Sequence, residues 1–122
     1  MRRLGVLLVI AGLLFPTTAT AEHAPESSCS PSGDVCTSAE KIDVVQYLRI
    51  GLTAKHFDQY RLCVRAPDDT RQCKTFQIQE MGEQFGDKVR WRRHFPNKGP
   101  GAYKACWRWE GSTRCRTNGF HI

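Results

Sequence analysis

Six cysteines carry the clearest chemistry in this chain of 122 residues. They fall in three close pairs: Cys29 and Cys36, Cys63 and Cys73, Cys106 and Cys115. Thiolates can hold zinc, attack electrophiles or oxidise to disulfides. None of these spacings is a zinc spacing, and no histidine pair complements them. An even cysteine count behind an export-like N-terminus points to a disulfide framework. Spacing alone does not choose among the connectivities.

The other reactive side chains are scattered. The histidines are His23, His56, His94 and His121. Asp68 and Asp69 follow Pro67, where aspartate is favoured because its carboxylate bonds the turn backbone. His56 and Asp58 are close enough in sequence to share an ion, but no ligand set around them is complete. There is no Gly-x-Ser-x-Gly elbow, and bridging all six cysteines leaves no thiol nucleophile. Without a nucleophile, base and orienter together, the expectation is a protein that is not an enzyme and takes no metal or cofactor.

Charge is the third source of chemistry. The formal net charge is +6. Residues 22–87 hold 7 Lys/Arg and 11 Asp/Glu, whereas residues 88–122 hold 9 Lys/Arg and a single acid, Glu110. A basic C-terminal third attracts anionic surfaces; equally, it is an ordinary solvated face that keeps an exported protein soluble. The segment Lys88–Trp109 also contains Trp91, Trp107 and Trp109, all the tryptophans of the chain. Rings interleaved with cations suggest stacking on nucleic-acid bases. Alternation argues against it: Trp91 and Phe95 share a face opposite Arg92 and His94, so the rings read as core. Nucleic acid is not an expected partner.

These residues must be positioned by elements. Arg2 and Arg3, the apolar run Leu4–Phe15 and the small residues Ala19-Thr20-Ala21 read as a signal peptide, residues 1–21. The apolar run falls short of the ~20 residues that cross a bilayer, and the C-terminus lacks a hydrophobic tail. The expected location is secreted, extracellular or cell-wall associated, with no stable membrane anchor. Residues 22–28 read as a disordered leader and residues 29–122 as one domain, too small for a large core.

Within that domain the hydrophobic period is two. Cys29–Cys36 reads as a stapled turn with Ser32-Gly33 at its tip, followed by a polar connector, 37–42. Leu48, Ile50, Leu52 and Ala54 form one apolar face. Tyr60, Leu62, Val64 and Ala66 form the next, alternating with Arg61, Cys63 and Arg65. A hairpin about Asp68 sets Cys63 opposite Cys73, ahead of Phe76 and Ile78. Residues 81–87 read as a loop. Val89, Trp91 and Phe95 form another strand, with Arg93 misplaced on its apolar face, and Pro96–Gly101 ends it. Tyr103, Ala105, Trp107 and Trp109 alternate with Lys104, Cys106 and Arg108. A turn at Glu110-Gly111 sets Cys106 opposite Cys115. It also puts Arg114 and Arg116 on the face of Trp107, which a bulge near Asn118-Gly119 or an arginine stacked on Trp107 would reconcile. This strand reading favours local bridges 29–36, 63–73 and 106–115, each contributing up to ~2.5–3 kcal/mol. Six or seven short strands without a helical period imply an all-β antiparallel sandwich.

The segments CSPSGDVC, LRIGLTAKHF, YRLCVRAP, CKTFQI, VRWRRHFPNKGPGAYKACWRW and GFHI together resemble a group of small, uncharacterised exported actinobacterial proteins with an immunoglobulin-like β-sandwich domain. VRWxxxFPxxGxGxY is the most specific part. The turn before Tyr103 resembles the tyrosine corner of such sandwiches. The chain departs from the pattern: it has no cysteine pair across the core and no tryptophan on the strand around Val64, and related members often lack Cys106 and Cys115. The resemblance implies fold and export, and carries no functional residue across.

In an immunoglobulin-like arrangement the strands of Val64 and Trp107 are neighbours. Their outward Arg61, Arg65, Lys104 and Arg108, beside two surface disulfides, would form a flat, stiff, basic face. The loop Pro96, Asn97, Lys98, Gly99, Pro100 and Gly101 is a second candidate. The expected function is an exported non-enzymatic binding or envelope-structural module, whose partner is an extracellular protein, an anionic cell-wall polymer or an anionic lipid surface. Alternatives are a basic disulfide-rich antimicrobial or toxin-like protein, an inhibitor of a secreted hydrolase that presents the Pro96–Gly101 loop, or a carrier of a small ligand between the sheets. Oligomeric state is not legible.

Overall fold

A computed structural model describes residues 27–42 and 45–122, together with Gly5 and Gly12. Apart from those two glycines the expected signal segment lies outside the described residues, as do His23 and residues 22–26 of the expected leader.

Among the described residues nine strands and one helical turn follow in order: β1 Ser27–Cys29, β2 Val35–Ile42, β3 Val45–Leu52, β4 Gln59–Arg65, β5 Arg71–Gln77, β6 Gln79–Met81, β7 Gln84–Arg90, α1 Trp91–His94, β8 Ala102–Trp109 and β9 Arg116–His121. They form two antiparallel sheets, β1-β2-β3-β7-β6 (the first sheet) and β5-β4-β8-β9 (the second). The sheets pack as a sandwich, as the alternation implied.

Period-two burial builds the interface between them. Leu48, Ile50 and Leu52 of β3 face Tyr60, Leu62 and Val64 of β4 and Tyr103, Ala105 and Trp107 of β8 in one core. Trp91, Tyr103 and Phe120 form a ring cluster with centroids 5.0 to 5.5 Å apart. Each large apolar side chain so buried contributes ~1.5–3 kcal/mol. The three bridges Cys29–Cys36, Cys63–Cys73 and Cys106–Cys115 all form, leaving no free cysteine.

Several expectations are corrected. Ser27 and Ser28 are not leader but strand, paired with Ser38 and Thr37. Residues 37–42 are not a connector but part of β2, which raises the strand count above six or seven. Thr37 hid this strand, because it occupies a core position as a polar residue whose hydroxyl accepts from Asn118 Nδ2 at 2.9 Å. Residues 81–87 are not a loop: Gly82-Glu83 turns β6 into β7. Gly86 lies inside β7, where a Cβ would collide with the Ile50 carbonyl. β3 starts earlier than expected and ends at Leu52, so Ala54 is exposed in a bend.

The strand expected to reach Phe95 stops at Arg90. One helical turn follows, and its Phe95 amide donates to the Trp91 carbonyl at 2.8 Å. The i to i+4 spacing brings Trp91 and Phe95 to the same buried side and leaves Arg93 exposed, which removes its misfit. On β9, Cys106 pairs in register with Thr117, not Cys115. Cys115 reaches its partner from the loop preceding β9. The ladder runs unbroken through Asn118 and Gly119, so there is no bulge there. Instead Asn118 turns inward and is satisfied by hydrogen bonds.

Candidate functional site: a basic sheet face

The second sheet exposes its outer face through the same alternation that builds the core. Arg61, Cys63 and Arg65 of β4 point away from it, as do Lys104, Cys106 and Arg108 of β8. The β4–β8 register sets Arg61 opposite Arg108, Cys63 opposite Cys106, and Arg65 opposite Lys104. The four basic residues expected to share a face therefore do share it, and all four are exposed.

A fifth cation belongs with them. Arg71 of β5 stands opposite Arg65, and its Nη2 lies 3.4 Å from Cys63 Sγ. The Cys63–Cys73 pairing held the signal for it, since two residues along each strand from that bridge lie Arg65 and Arg71.

Arg71, Arg65 and Lys104 thus form one lateral row, and Arg61 and Arg108 another. Between the rows run Cys73, Cys63 and Cys106, with the Cys63–Cys73 bridge joining β4 to β5. Cys106–Cys115 ties β8 to the loop beside it. Like charges directly opposite each other across a sheet are destabilising. Among the described residues the ion pairs are Arg49–Glu40 and Lys55–Asp58, so none of these five cations is in a salt bridge with a described carboxylate.

The first sheet differs. Its outward Arg90 donates to the Tyr47 hydroxyl at 2.6 Å, and Lys88 Nζ sits 4.4 Å from the Tyr47 ring centroid. The Arg90 hydrogen bond, helped by the charges of Arg90, Lys88 and Arg93, holds the Tyr47 phenol below its usual pKa. Arg49 is paired with Glu40. The cations of that face are engaged with partners within the fold.

The Pro96–Gly101 loop lies at the end of the second sheet where the row of three cations stands. A Cβ on Gly101 would press on Pro67 in the β4–β5 turn. Tyr103 stiffens the loop: its hydroxyl donates to the Gly99 carbonyl at 2.7 Å and accepts from the Lys98 amide at 3.0 Å. Asn97 Oδ1 also accepts from the Gly99 amide at 3.0 Å. The face and the loop are neighbours at that end, whereas Arg61 and Arg108 lie four residues further along their strands.

The remaining reactive residues have structural surroundings. Asp68 Oδ1 accepts from the Thr70 hydroxyl at 2.5 Å and its amide at 3.0 Å, which lowers the Asp68 carboxyl pKa. Asp69 takes the positive φ of the turn, 67°. Asp58 is paired with Lys55 at 2.9 Å, His56 is exposed, and His94 meets Phe76 edge-on at 5.0 Å. Among the described residues no group of three or more His, Cys, Asp or Glu is placed to hold a metal. No described helix is long and apolar enough to cross a membrane. Between the sheets the space is filled by Trp91, Trp107, Tyr60 and Tyr103. Three disulfides suit an oxidising, extracellular environment.

Comparison with protein-family models, curated proteins and solved structures returns no match.

Proposed function

We propose that the chain is an exported, non-enzymatic, immunoglobulin-like module that docks an extended anionic polymer outside the cell through the outer face of its second sheet. The observation that carries this is the pair of cation rows on a disulfide-braced sheet, with no carboxylate partner among the described residues. The strand order supports the immunoglobulin-like reading. With β2, β3, β4, β6, β7, β8 and β9 as strands A to G, the sheets read A-B-E-D and C-F-G, with β1 added beside A and β5 beside C. The Tyr103 hydrogen bond at the start of strand F fits the tyrosine corner.

The character of the face favours a polymer over a compact protein. The hot spots of protein interfaces are Trp, Tyr and Arg, and the aromatic anchors among them fill pockets on the partner. Among the described residues the exposed large hydrophobic side chain is Met81, on β6 of the other sheet. A flat array of cations without such anchors attracts repeating charge. Membrane insertion also needs an apolar face, which weighs against the antimicrobial reading.

The test is binding of the oxidised protein to immobilised poly(glycerol phosphate), with neutral dextran as control, at low salt and at about 0.5 M salt. Saturable, salt-weakened binding that falls at least about tenfold in the Arg61→Gln, Arg65→Gln, Lys104→Gln, Arg108→Gln variant is the expected result. Equal binding by that variant, or leakage of anionic vesicles in place of polymer binding, overturns the reading.

A further inference from the structure

Within the basic face one place has the form of a discrete site. Between the Arg71-Arg65-Lys104 row and the disulfide row lies a hollow of about 390 Å³, lined by Cys63, Arg65, Arg71, Lys104, Cys106 and Thr117. That volume lies in the range of small-molecule sites, ~300–1,000 Å³. Every charged side chain in the lining is a cation.

We infer that Arg65, Arg71, Lys104 and Thr117 form a subsite for a tetrahedral oxyanion, the phosphate or sulfate ester group of the bound polymer. The inference rests on the polymer-docking function and names the group recognised.

Two features carry it. Sheet register holds Arg71, Arg65 and Lys104 on adjacent strands, where directly opposite side chains stand ~5 Å apart. An anionic group seated there relieves the repulsion that the register imposes. Two guanidinium forks and an ammonium, with a hydroxyl from Thr117, approach from more directions than the two coplanar oxygens of a carboxylate can use, and they suit the four oxygens set tetrahedrally about phosphorus or sulfur.

A second hollow of about 380 Å³ lies beyond the disulfide row, with Arg61, Thr75 and Arg108 in its lining. Glu110 also lines it and lowers its attraction for anions. Arg61 and Arg65 are four residues apart on β4, ~13 Å along the strand. A polymer crossing the disulfide row places one anionic group in the strong subsite and another, about that far away, in the weaker one.

Amide chemical shifts of the oxidised, isotope-labelled protein, followed during separate titrations with inorganic phosphate, inorganic sulfate and acetate, test this. Phosphate or sulfate should move the amides of Arg65, Arg71, Lys104 and Thr117 saturably, with acetate much weaker. Phosphate preferred over sulfate would indicate a phosphate-bearing polymer, and the reverse a sulfated one. Arg71→Gln should weaken oxyanion binding about tenfold, and Arg61→Gln less than about twofold. Lys104→Gln repeats the test on a different strand. Shifts spread evenly over the face, shifts centred on Arg61 and Arg108, equal response to acetate, or indifference to both Arg71→Gln and Lys104→Gln would each overturn the subsite. If poly(glycerol phosphate) binds while phosphate and sulfate fail to localise, the subsite is wrong and polymer docking stands. If the oxyanion localises but the polymer does not bind, the subsite stands and polymer docking fails.

Discussion

The Tyr60 hydroxyl donates a 2.6 Å hydrogen bond to Asp87 Oδ2, crossing from β4 of one sheet to β7 of the other. Both side chains are buried, and the second Asp87 oxygen accepts the Lys88 amide at 2.9 Å. A polar bridge therefore sits inside a largely apolar interface. Burial, and then the bond to Asp87, raise the Tyr60 pKa far above its usual value.

That shift has a definite sign. The unfolded chain releases the phenol proton near pH ~10, and the folded chain holds it to higher pH. The stability contributed is fully present below pH ~10 and is lost above it, by about 1.4 kcal/mol per pH unit. Urea unfolding at neutral pH and near pH 11 should show this loss, and Tyr60→Phe should show a smaller one. At neutral pH Tyr60→Phe should cost ~1–3 kcal/mol, because the buried Asp87 oxygen loses its partner. An unchanged alkaline slope in Tyr60→Phe would refute the assignment.

Tyr103→Phe removes the hydroxyl that holds the Gly99 carbonyl and the Lys98 amide. The ring cluster with Trp91 and Phe120 remains. A loss of about 1–2 kcal/mol is expected, with faster hydrogen exchange confined to the Pro96–Gly101 loop. Exchange that rises equally across β8 and β9 would mean that the hydroxyl holds the sheet and not the loop.

Asn118 of β9 bonds Thr37 of β2 and Ser28 of β1, closing one side of the sandwich with side-chain hydrogen bonds. Asn118→Leu alone leaves the buried Thr37 hydroxyl with only its longer, 3.3 Å bond to Ser28 and should cost ~1–3 kcal/mol. Adding Thr37→Val removes the under-satisfied hydroxyl and should recover part of that loss. A double-mutant cycle on denaturation midpoints measures the coupling, and strictly additive losses would show that the two residues do not act together.

Arg71→Gln should move stability and binding in opposite directions. Removing one of two opposed arginines lessens cross-strand repulsion, so the melting midpoint at low salt should rise by about 1–2 °C, and the gain should vanish at high salt. Anion binding should weaken in the same variant. A fall in both would make Arg71 a structural residue.

Much of the architecture was legible in local spacing. The alternation of Tyr60, Leu62 and Val64 with Arg61, Cys63 and Arg65 assigns inside and outside without reference to any partner strand. The 63–73 bridge and the Asp68 turn support one register, and the structure has that register. Where a polar residue lies inside, the pattern misleads: Thr37 opens a run that reads as a polar connector, and Asn118 reads as the place for a bulge. Each can be buried because partners from distant parts of the chain satisfy it: the two bond each other, and Ser28 bonds both. Arg93 misled for a different reason: a single helical turn is too short to produce a visible period.

The sequence by itself determined the all-β class, the inward and outward sets on β4 and β8, and the local cysteine pairs, because side-chain alternation and hairpin closure are properties of neighbouring residues. Tertiary structure alone decided that β1 and β2 complete a sheet, that Asp87 meets Tyr60, and that Arg71, Arg65 and Lys104 line one hollow with Thr117. These depend on which strands lie side by side and which sheet faces which. That choice follows from the summed burial of Trp91, Trp107 and their neighbours, to which no short segment holds the key.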